Sequence, residues 1–153
     1  MKFEDAAKIY DIFYEELKNA PCSTKHHLNK KGGLLEHMLH VYNIALELEP
    51  KNETLVALAY IHDIGKARTY TIKENGEIIY SDPSVDHHLN TIAMIGEAGI
   101  KLTQEELNAI QYHHGGFSPF AYKGQATELA VKLHYCDWLA TVREEKEKGI
   151  TNR

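Results

Sequence analysis

The sequence is poor in cysteine and has no long apolar run. Its 153 residues include only two cysteines, Cys22 and Cys136, which are too few for a disulfide framework or a Cys-based zinc site. No segment approaches the roughly 20 consecutive apolar residues that a transmembrane helix needs. The N-terminal segment is acidic and amphipathic, unlike a secretory signal. We therefore expect a cytoplasmic protein without a membrane partner, in which both cysteines are reduced core thiols.

Basic charge is also scarce. Lys and Arg number 17 against 22 Asp and Glu, which gives a net charge of −5 at pH 7. The chain as a whole therefore has no general attraction for nucleic acid, and any polyanion would have to bind locally. One local basic patch lies at 23–31, with the sequence STKHHLNKK. Such a patch on an acidic protein suits an anionic ligand, although a solvated loop explains its lysines equally well.

Helical periodicity dominates the sequence. Apolar residues recur at intervals of three and four, which predicts amphipathic helices. The predicted helices cover about 3–19, 34–49, 53–66, 85–98, 103–114 and 125–147. Thr103 and Glu106 predict a capping box, and Pro50 and the Gly115-Gly116 pair predict helix ends. The charged end of the last helix is expected to be a solvated face.

One segment departs from this pattern. Residues 69–80 alternate around Asn75-Gly76, the strongest short signal for a β-hairpin. No repeat or linker divides the chain, and 153 residues can bury a core without covalent crosslinks. The predicted fold is an all-α helical bundle with a small β-hairpin, forming a single domain over 1–153.

Imidazole side chains recur on successive predicted helices. His37, His62, His87-His88 and His113-His114 follow one another at intervals of 25, 25 and 26 residues. The last predicted helix adds Asp137 among aromatic and apolar neighbours, where a carboxylate would be buried and would need a cation or several hydrogen-bond donors. Helices in a bundle can direct such side chains into a shared metal site.

The adjacent pair His62-Asp63 offers two ways to bind metal. Neighbouring residues differ by about 100° around a helix, so both could reach one ion, or Asp63 could bridge two ions. Imidazole with carboxylate suits Mn, Fe, Co, Ni or Zn better than Mg. We therefore expect one or two divalent ions from the former group. His40 and His134 are interpreted as core residues or as partners that orient ligands.

The ordered set His37, His62-Asp63 and Asp137 resembles the HD-domain superfamily of metal-dependent phosphohydrolases. The similarity extends from about residue 21 to residue 138 and is closest to the HD domain of bacterial 3′–5′ exoribonucleases. It is based on STKHHLNKKGGLLEH, HDIGK, an intermediate histidine and HHG. The resemblance implies an all-α fold of five or more helices in which these four residues hold a metal ion.

Relatives with additional histidines hold two ions, bridged by the aspartate of the pair. The resemblance thus implies that His113 and either His87 or His88 bind a second ion. His87 is preferred, because Thr91 then takes a position where a small residue is usual, and Met94 and Ile95 match apolar positions. The predicted metal ligands are His37, His62, Asp63, His87, His113 and Asp137.

The resemblance also implies phosphoester chemistry. A phosphomonoesterase or phosphodiesterase would act on a nucleotide, cyclic dinucleotide or short oligonucleotide, with a hydroxide between the ions as nucleophile. Asp63 would hold both ions, Lys66 would neutralise developing charge, and His114 would bind phosphate or protonate the leaving group. His26, His27 and Lys66 would bind substrate. A surface lysine and a helix-terminal cap are the structural alternatives for Lys66 and His114.

Two other functions fit the same ligand set. Some HD proteins with this arrangement are di-iron oxygenases, and a closed metal site could instead hold together a non-catalytic binding module. The sequence leaves open the substrate, the native metal and the oligomeric state.

Overall fold

The computed structural model of the chain describes residues 1–114 and 125–147. These residues form a helical domain with one two-stranded sheet. The helices are α1 Phe3–Ile12, α2 Tyr14–Leu17, α3 Gly33–Leu48, α4 Glu53–Ile61, α5 Lys66–Thr69, α6 His87–Glu97, α7 Gln104–Tyr112 and α8 Glu128–Glu147, and the strands are β1 Tyr70–Ile72 and β2 Ile78–Tyr80. The predicted all-α class with a small hairpin is confirmed.

The hairpin forms where the sequence predicts it. Its strands are antiparallel, and Tyr70 pairs with Tyr80. Gly76 adopts a φ of 85° in the turn, a conformation that glycine accepts without steric cost. The hairpin thus lies between α5 and α6.

The core is built around α4. Six of its nine residues are buried, namely Leu55, Val56, Ala57, Leu58, Ala59 and Ile61, because this helix is apolar on most sides. Helices α1 and α3 pack against α4, while α3 and α7 pack against α8. The two cysteines are buried free thiols, as predicted. This packing brings α3, the C-terminal end of α4 and α8 together.

Two predicted helices are interrupted. The helix predicted over 3–19 breaks at Phe13, whose φ of −103° and ψ of 11° leave the helical region. The helix predicted over 53–66 ends at Ile61, and residues 62–65 form turns before α5. In these turns the Gly65 amide donates to Thr91 Oγ1 at 2.9 Å rather than to a carbonyl within the helix. His62 and Asp63 consequently lie in a turn.

The other helix boundaries agree with the sequence to within about three residues. Thr103 and Glu106 form the predicted capping box, and Asn52 caps α4 by accepting from the Leu55 amide. The predicted break at Gly115-Gly116 lies outside the described residues. Among the helices of the described part of the chain, none combines the length and the apolar character needed to cross a membrane.

The charged end of α8 differs from its prediction. Glu144 and Glu145 are only 3% and 2% exposed, so a fully solvated face is wrong for these two residues. Glu144 points toward α3, where it contacts two histidines.

Candidate metal centre

Four predicted ligands meet where α3, the turn after α4 and α8 come together. His37 extends from α3, His62 and Asp63 from the turn, and Asp137 from α8. All four are buried, and one ligand atom from each lies within 4.8 Å of the others. The Nε2 atoms of His37 and His62 lie 2.7 and 3.5 Å from Asp137 Oδ1. The arrangement offers two imidazoles and two carboxylates to a single ion, a donor set that suits a divalent transition metal.

The protein fixes the orientation of two rings. His62 Nδ1 donates to the Ala59 carbonyl at 2.9 Å, and His113 Nδ1 donates to the Ile110 carbonyl at 2.7 Å. Within the described residues, the Nε2 atom of each ring is buried without a hydrogen-bond partner. A second ring nitrogen held by a carbonyl is the usual arrangement of a metal-binding histidine. The residues present therefore fit a metal ion.

Asp63 lies between two groups of imidazoles, a first group of His37 and His62 and a second group that includes His87 and His113. Its Oδ2 lies 3.3 Å from His62 Nε2 and 3.8 Å from His37 Nε2. Its Oδ1 lies 3.3 Å from His113 Nε2 and 3.5 Å from His87 Nε2. One carboxylate thus presents an oxygen to each group, as a bridging ligand would.

The second group lies at facing helix ends. His87 and His88 begin α6, and His113 and His114 follow the last residue of α7. One nitrogen from each of these four lies within 4.8 Å of the others. Both alternatives for the intermediate histidine therefore reach the same region.

The imidazoles of the first group lie next to carboxylates of opposite charge. Burial opposes charge on His37, but hydrogen bonds to Asp137 and Glu144 raise its pKa to about 9. Burial likewise opposes charge on His62, but Asp63 and Asp137 raise its pKa to about 10. Burial would raise the pKa values of Asp63 and Asp137, yet their cationic neighbours hold both well below the usual range. Without metal, protons on the two rings therefore compensate the carboxylates, and an ion would displace them.

Lys66 lies beside this centre. Its Nζ is buried 3.0 Å from Asp63 Oδ2 and 3.7 Å from Cys22 Sγ. Burial opposes its charge, but Asp63 raises the Lys66 pKa well above the usual value. A surface position for this lysine is wrong, since it is 5% exposed, and its ammonium is paired with the Asp63 carboxylate.

A cavity of about 100 Å³ opens next to Asp137. It is lined by His27, Lys66, His114, His134, Asp137, Trp138 and Thr141. Burial, together with His37 and Lys66, lowers the pKa of His27 to about 3, and burial and His113 hold the pKa of His114 well below its usual value. Both rings are therefore neutral near pH 7, so they present polar but uncharged groups to this cavity.

The predicted substrate residues are only partly brought together. His27, Lys66 and His114 share the cavity, and the His27 ring stacks on His37 with centroids 4.9 Å apart. His26 is exposed and is not among the described lining residues, while its backbone amide donates to Ser23 Oγ at 3.0 Å. The neighbouring histidines of the loop thus occupy different environments.

Sequence reasoning missed Glu144. Its carboxylate accepts from His37 Nδ1 at 2.9 Å and from His40 Nδ1 at 2.6 Å. Of the two interpretations of His40, a core residue or a partner that orients ligands, this contact with the carboxylate that holds His37 fits the second. The available signal was spacing, since Glu144 follows Asp137 by seven residues, two helical turns on the same face.

The comparison with known families agrees with this geometry. The HD domain family matches residues 34–142. The chain belongs to the HD domain family. All six predicted metal ligands lie within the matched segment.

One characterised protein is similar over most of this chain. It is the dihydroneopterin 2′,3′-cyclic phosphate phosphodiesterase of Methanocaldococcus jannaschii, 30% identical over 132 residues, which cover 79% of this chain and 51% of that protein. The chain thus spans about half the length of this relative. No solved structure matches the chain.

Proposed function

We propose that this HD-domain chain is a metal-dependent phosphohydrolase, a phosphomonoesterase or phosphodiesterase that acts on a nucleotide, a cyclic dinucleotide or a short oligonucleotide. The observation that carries the proposal is the buried convergence of His37, His62, Asp63 and Asp137, with ligand atoms within 4.8 Å of one another. Family membership adds independent support.

The similar protein from Methanocaldococcus jannaschii indicates which phosphoester bond should be tested first. Its name gives dihydroneopterin 2′,3′-cyclic phosphate as the phosphodiester on which that protein acts. A strained cyclic phosphodiester on a nucleoside is therefore added to the proposed substrates. The proposed similarity to exoribonuclease HD domains keeps short oligonucleotides in the same panel.

The proposed metal ligands form two sets that share one residue. His37, His62, Asp63 and Asp137 would hold one ion, and Asp63 with His87 and His113 would hold a second. We expect Mn, Fe, Co, Ni or Zn rather than Mg, because imidazoles provide much of the donor set. Such ions would act as Lewis acids that polarise the phosphoryl group and lower the pKa of water.

The chain's own residues would position and neutralise the substrate. The Lys66 ammonium would pair with phosphoryl oxygens and stabilise the charge that develops on them. His27 stacks on the His37 ring with centroids 4.9 Å apart and would contact the substrate from the basic loop. His114, in the same cavity, would donate a ring N–H to a phosphoryl oxygen as a neutral imidazole, whereas its other proposed role, protonating the leaving oxygen, requires that bound substrate first raise its pKa. His26 is proposed to contact only the more distant part of a substrate.

A metal-dependent activity screen tests the proposal. Chelator-treated protein is reloaded separately with Mn²⁺, Fe²⁺, Co²⁺, Ni²⁺ or Zn²⁺ and incubated with phosphomonoesters, nucleoside 2′,3′-cyclic phosphates, cyclic dinucleotides and dinucleotides. We expect turnover of at least one class with a loaded metal, and none for Asp63→Ala treated in parallel. Stoichiometric metal binding without hydrolysis in any class would reject the phosphohydrolase and leave the binding module and the di-iron oxygenase as the two alternatives.

The di-iron oxygenase alternative requires a separate experiment. Protein loaded with Fe²⁺ without oxygen is mixed with each candidate substrate and then exposed to O₂. Hydrolysis predicts equal product with and without O₂. Substrate-dependent O₂ consumption would instead favour the di-iron oxygenase.

A further inference from the structure

A buried thiol lies beside the metal centre, in the loop that precedes α3. Cys22 Sγ lies 3.2 Å from His27 Nε2, and Lys66 Nζ donates to the same sulfur at 3.7 Å. Cys22 is 0% exposed and His27 is 9% exposed. The thiol thus connects two side chains that the proposed function assigns to the substrate, although Cys22 itself has no role in that proposal.

The loop that carries these residues is closed by its own hydrogen bonds. The Cys22 amide donates to the Leu28 carbonyl at 3.1 Å, and Ser23 Oγ donates to the His27 carbonyl at 2.9 Å. The His27 ring then stacks on that of His37, with an angle of 27° between the ring planes. The position of the His27 ring is therefore fixed before any ligand binds, which lowers the entropy cost of binding.

The direction of the hydrogen bond between Cys22 and His27 follows from their neighbours. Protonated Lys66 can only donate to the sulfur, and its charge is already paired with Asp63 at 3.0 Å. Burial raises the pKa of the Cys22 thiol although Lys66 opposes this effect, so the thiol keeps its proton. Among the described residues, His27 Nε2 is the acceptor within hydrogen-bonding distance of that thiol. Cys22 therefore donates, and Nε2 is the unprotonated nitrogen of the ring.

The other nitrogen of the His27 ring lacks a partner in the described part of the chain. A neutral imidazole that accepts at Nε2 carries its hydrogen on Nδ1, and His27 Nδ1 is buried without a hydrogen bond. A buried donor without an acceptor is costly. His27 and Lys66 line the cavity of about 100 Å³, whereas Cys22 is not among its described lining residues. Nδ1 is thus the nitrogen that remains for a ligand in this cavity.

We propose that Cys22 is a positioning residue that fixes the Nδ1–H tautomer of His27, and that this N–H donates to a phosphoryl oxygen of the substrate. An ionised phosphoryl oxygen fits because it only accepts hydrogen bonds, and because the Lys66 ammonium at the same cavity supplies positive charge. The inference deepens the proposed function and rests on it. It gives a role to a thiol that the sequence predicts only as a core residue.

Nitrogen NMR tests the tautomer without an activity assay. Proton–nitrogen correlation spectra are measured on the full chain with isotope-labelled histidine, without metal and with Zn²⁺, and the His27 signals are those missing from His27→Ala. We expect Nδ1–H in the native chain and in Cys22→Ser, which keeps a donor, and loss of that preference in Cys22→Ala. Cys136→Ala removes the other buried thiol and should leave the His27 signals unchanged.

Affinity for inorganic phosphate tests the hydrogen bond to the ligand. Zn²⁺-loaded chains are titrated with phosphate by calorimetry. We expect Cys22→Ala and His27→Ala each to weaken phosphate binding by about tenfold, the order expected for one charge-assisted hydrogen bond. Cys22→Ser should recover part of the loss, and Cys136→Ala should bind phosphate like the native chain.

A double variant separates the two routes by which Cys22 could act. Cys22→Ala combined with His27→Ala should lose no more affinity than His27→Ala alone, because the thiol acts through the ring. Cys22→Val, an apolar replacement of similar size, takes the place of Cys22→Ala if circular dichroism shows that the alanine chain is misfolded.

Three results would contradict the inference. Nε2–H as the His27 tautomer of the native chain would reverse the hydrogen bond and leave the proposed function intact. Additive losses in the double variant would show that the thiol acts through Lys66 rather than through His27. A native chain that neither binds phosphate nor hydrolyses any ester in the activity screen would reject the inference and the proposed function together.

Discussion

The Glu144 carboxylate contacts His37 on the side opposite the centre. His37 Nδ1 lies 2.9 Å from Glu144, while its Nε2 lies 2.7 Å from Asp137. With Nδ1 donating to Glu144, Nε2 of a neutral ring is the nitrogen that faces an ion. A carboxylate behind a metal-binding histidine fixes the tautomer and raises the basicity of the ring.

We therefore expect Glu144→Ala to weaken metal binding by about 10- to 100-fold. Glutamine at this position can still accept from His37 Nδ1, so Glu144→Gln should recover part of the loss. The measurement is the Co²⁺ dissociation constant of each variant. Glu147→Ala on the same helix removes an exposed carboxylate and is the matched control. Equal affinities of Glu144→Ala and Glu147→Ala would remove the assigned role.

Substitution of Lys66 is expected to lower turnover without removing the metal. Its ammonium is buried 3.0 Å from Asp63, yet it cannot itself ligate a metal while protonated. We predict that Lys66→Ala retains bound metal and lowers kcat by about 100-fold, the usual cost of losing one group that stabilises transition-state charge.

The check for Lys66 is kcat on the substrate found by the screen, together with bound metal per chain. Lys51→Ala removes an exposed lysine and should match the native enzyme in both. Native kcat in Lys66→Ala would exclude a catalytic contact, and loss of the metal would show that the residue only balances charge at the ligands.

The sequence predicts the roles of some single residues and not of others. The six proposed ligands stand out because their order and spacing resemble a known family. Glu144 lies in a run of charged residues, VREEKEK, that is typical of a solvent-facing helix. Glu144 is buried because α3 packs against this part of α8. The residues of the charged run do not by themselves predict that packing.

At the level of elements, the turn after α4 controls where the His62-Asp63 pair points. Gly65 is in close contact with α6: a Cβ placed there would lie 2.2 Å from the His87 carbonyl oxygen and 2.3 Å from the Thr91 amide nitrogen. Only glycine permits this approach, since such distances are far below van der Waals contact. The approach brings α6, and with it His87, to Asp63.

Gly65→Ala should therefore separate the turn from α6. We expect a loss of about 1–3 kcal/mol in the free energy of unfolding, the usual cost of overpacking, and weaker binding of the second ion. Urea unfolding of the metal-free protein and Co²⁺ titration measure the two effects.

Gly96→Ala provides the matched control within α6. A Cβ at Gly96 meets no atom within 4 Å, so the substitution should stabilise the helix by about 0.5–1 kcal/mol. If both alanine variants changed stability and metal binding alike, the close contact at Gly65 would have no special effect.

The end of α4 illustrates what local sequence cannot predict. The apolar pattern of 53–66 continues past Ile61 and favours one longer helix. The Gly65 amide instead donates its hydrogen bond to Oγ1 of Thr91, which lies 26 residues later in the sequence. The hairpin, by contrast, depends on its own Asn75-Gly76 turn and was predicted correctly.

At the scale of the whole molecule, the fold holds several charged and polar groups in its interior. His37, His62 and Asp63 are 0% exposed, and Asp137 is 8% exposed. Such groups are costly to bury without partners. A metal ion that binds only the folded chain would stabilise it by mass action.

We expect Co²⁺ or Zn²⁺ to raise the thermal midpoint of the chelator-treated protein. A free ion concentration 100 times the dissociation constant would add about 2.7 kcal/mol to the free energy of unfolding. Scanning calorimetry with and without the ion measures the shift, with Asp63→Asn as the control that should respond weakly. An unchanged midpoint at saturating metal would contradict binding to the folded state.

The global architecture was the more predictable part. Periodicity of three and four predicts a helical bundle, and the resemblance predicts that distant residues converge in it. Substrate identity is not predictable in the same way, because the cavity combines side chains from the basic loop, α5 and α8. Its lining by His27, Lys66 and Trp138 follows from packing of the whole domain.

Anomalous diffraction from crystals grown with Co²⁺ or Zn²⁺ tests the central claim most directly. We predict an anomalous peak within bonding distance of His37 Nε2, His62 Nε2, Asp63 and Asp137, with Asp63 also facing a second peak among the four histidines. Metal-replete crystals with no peak among those first four side chains would contradict the proposed metal centre.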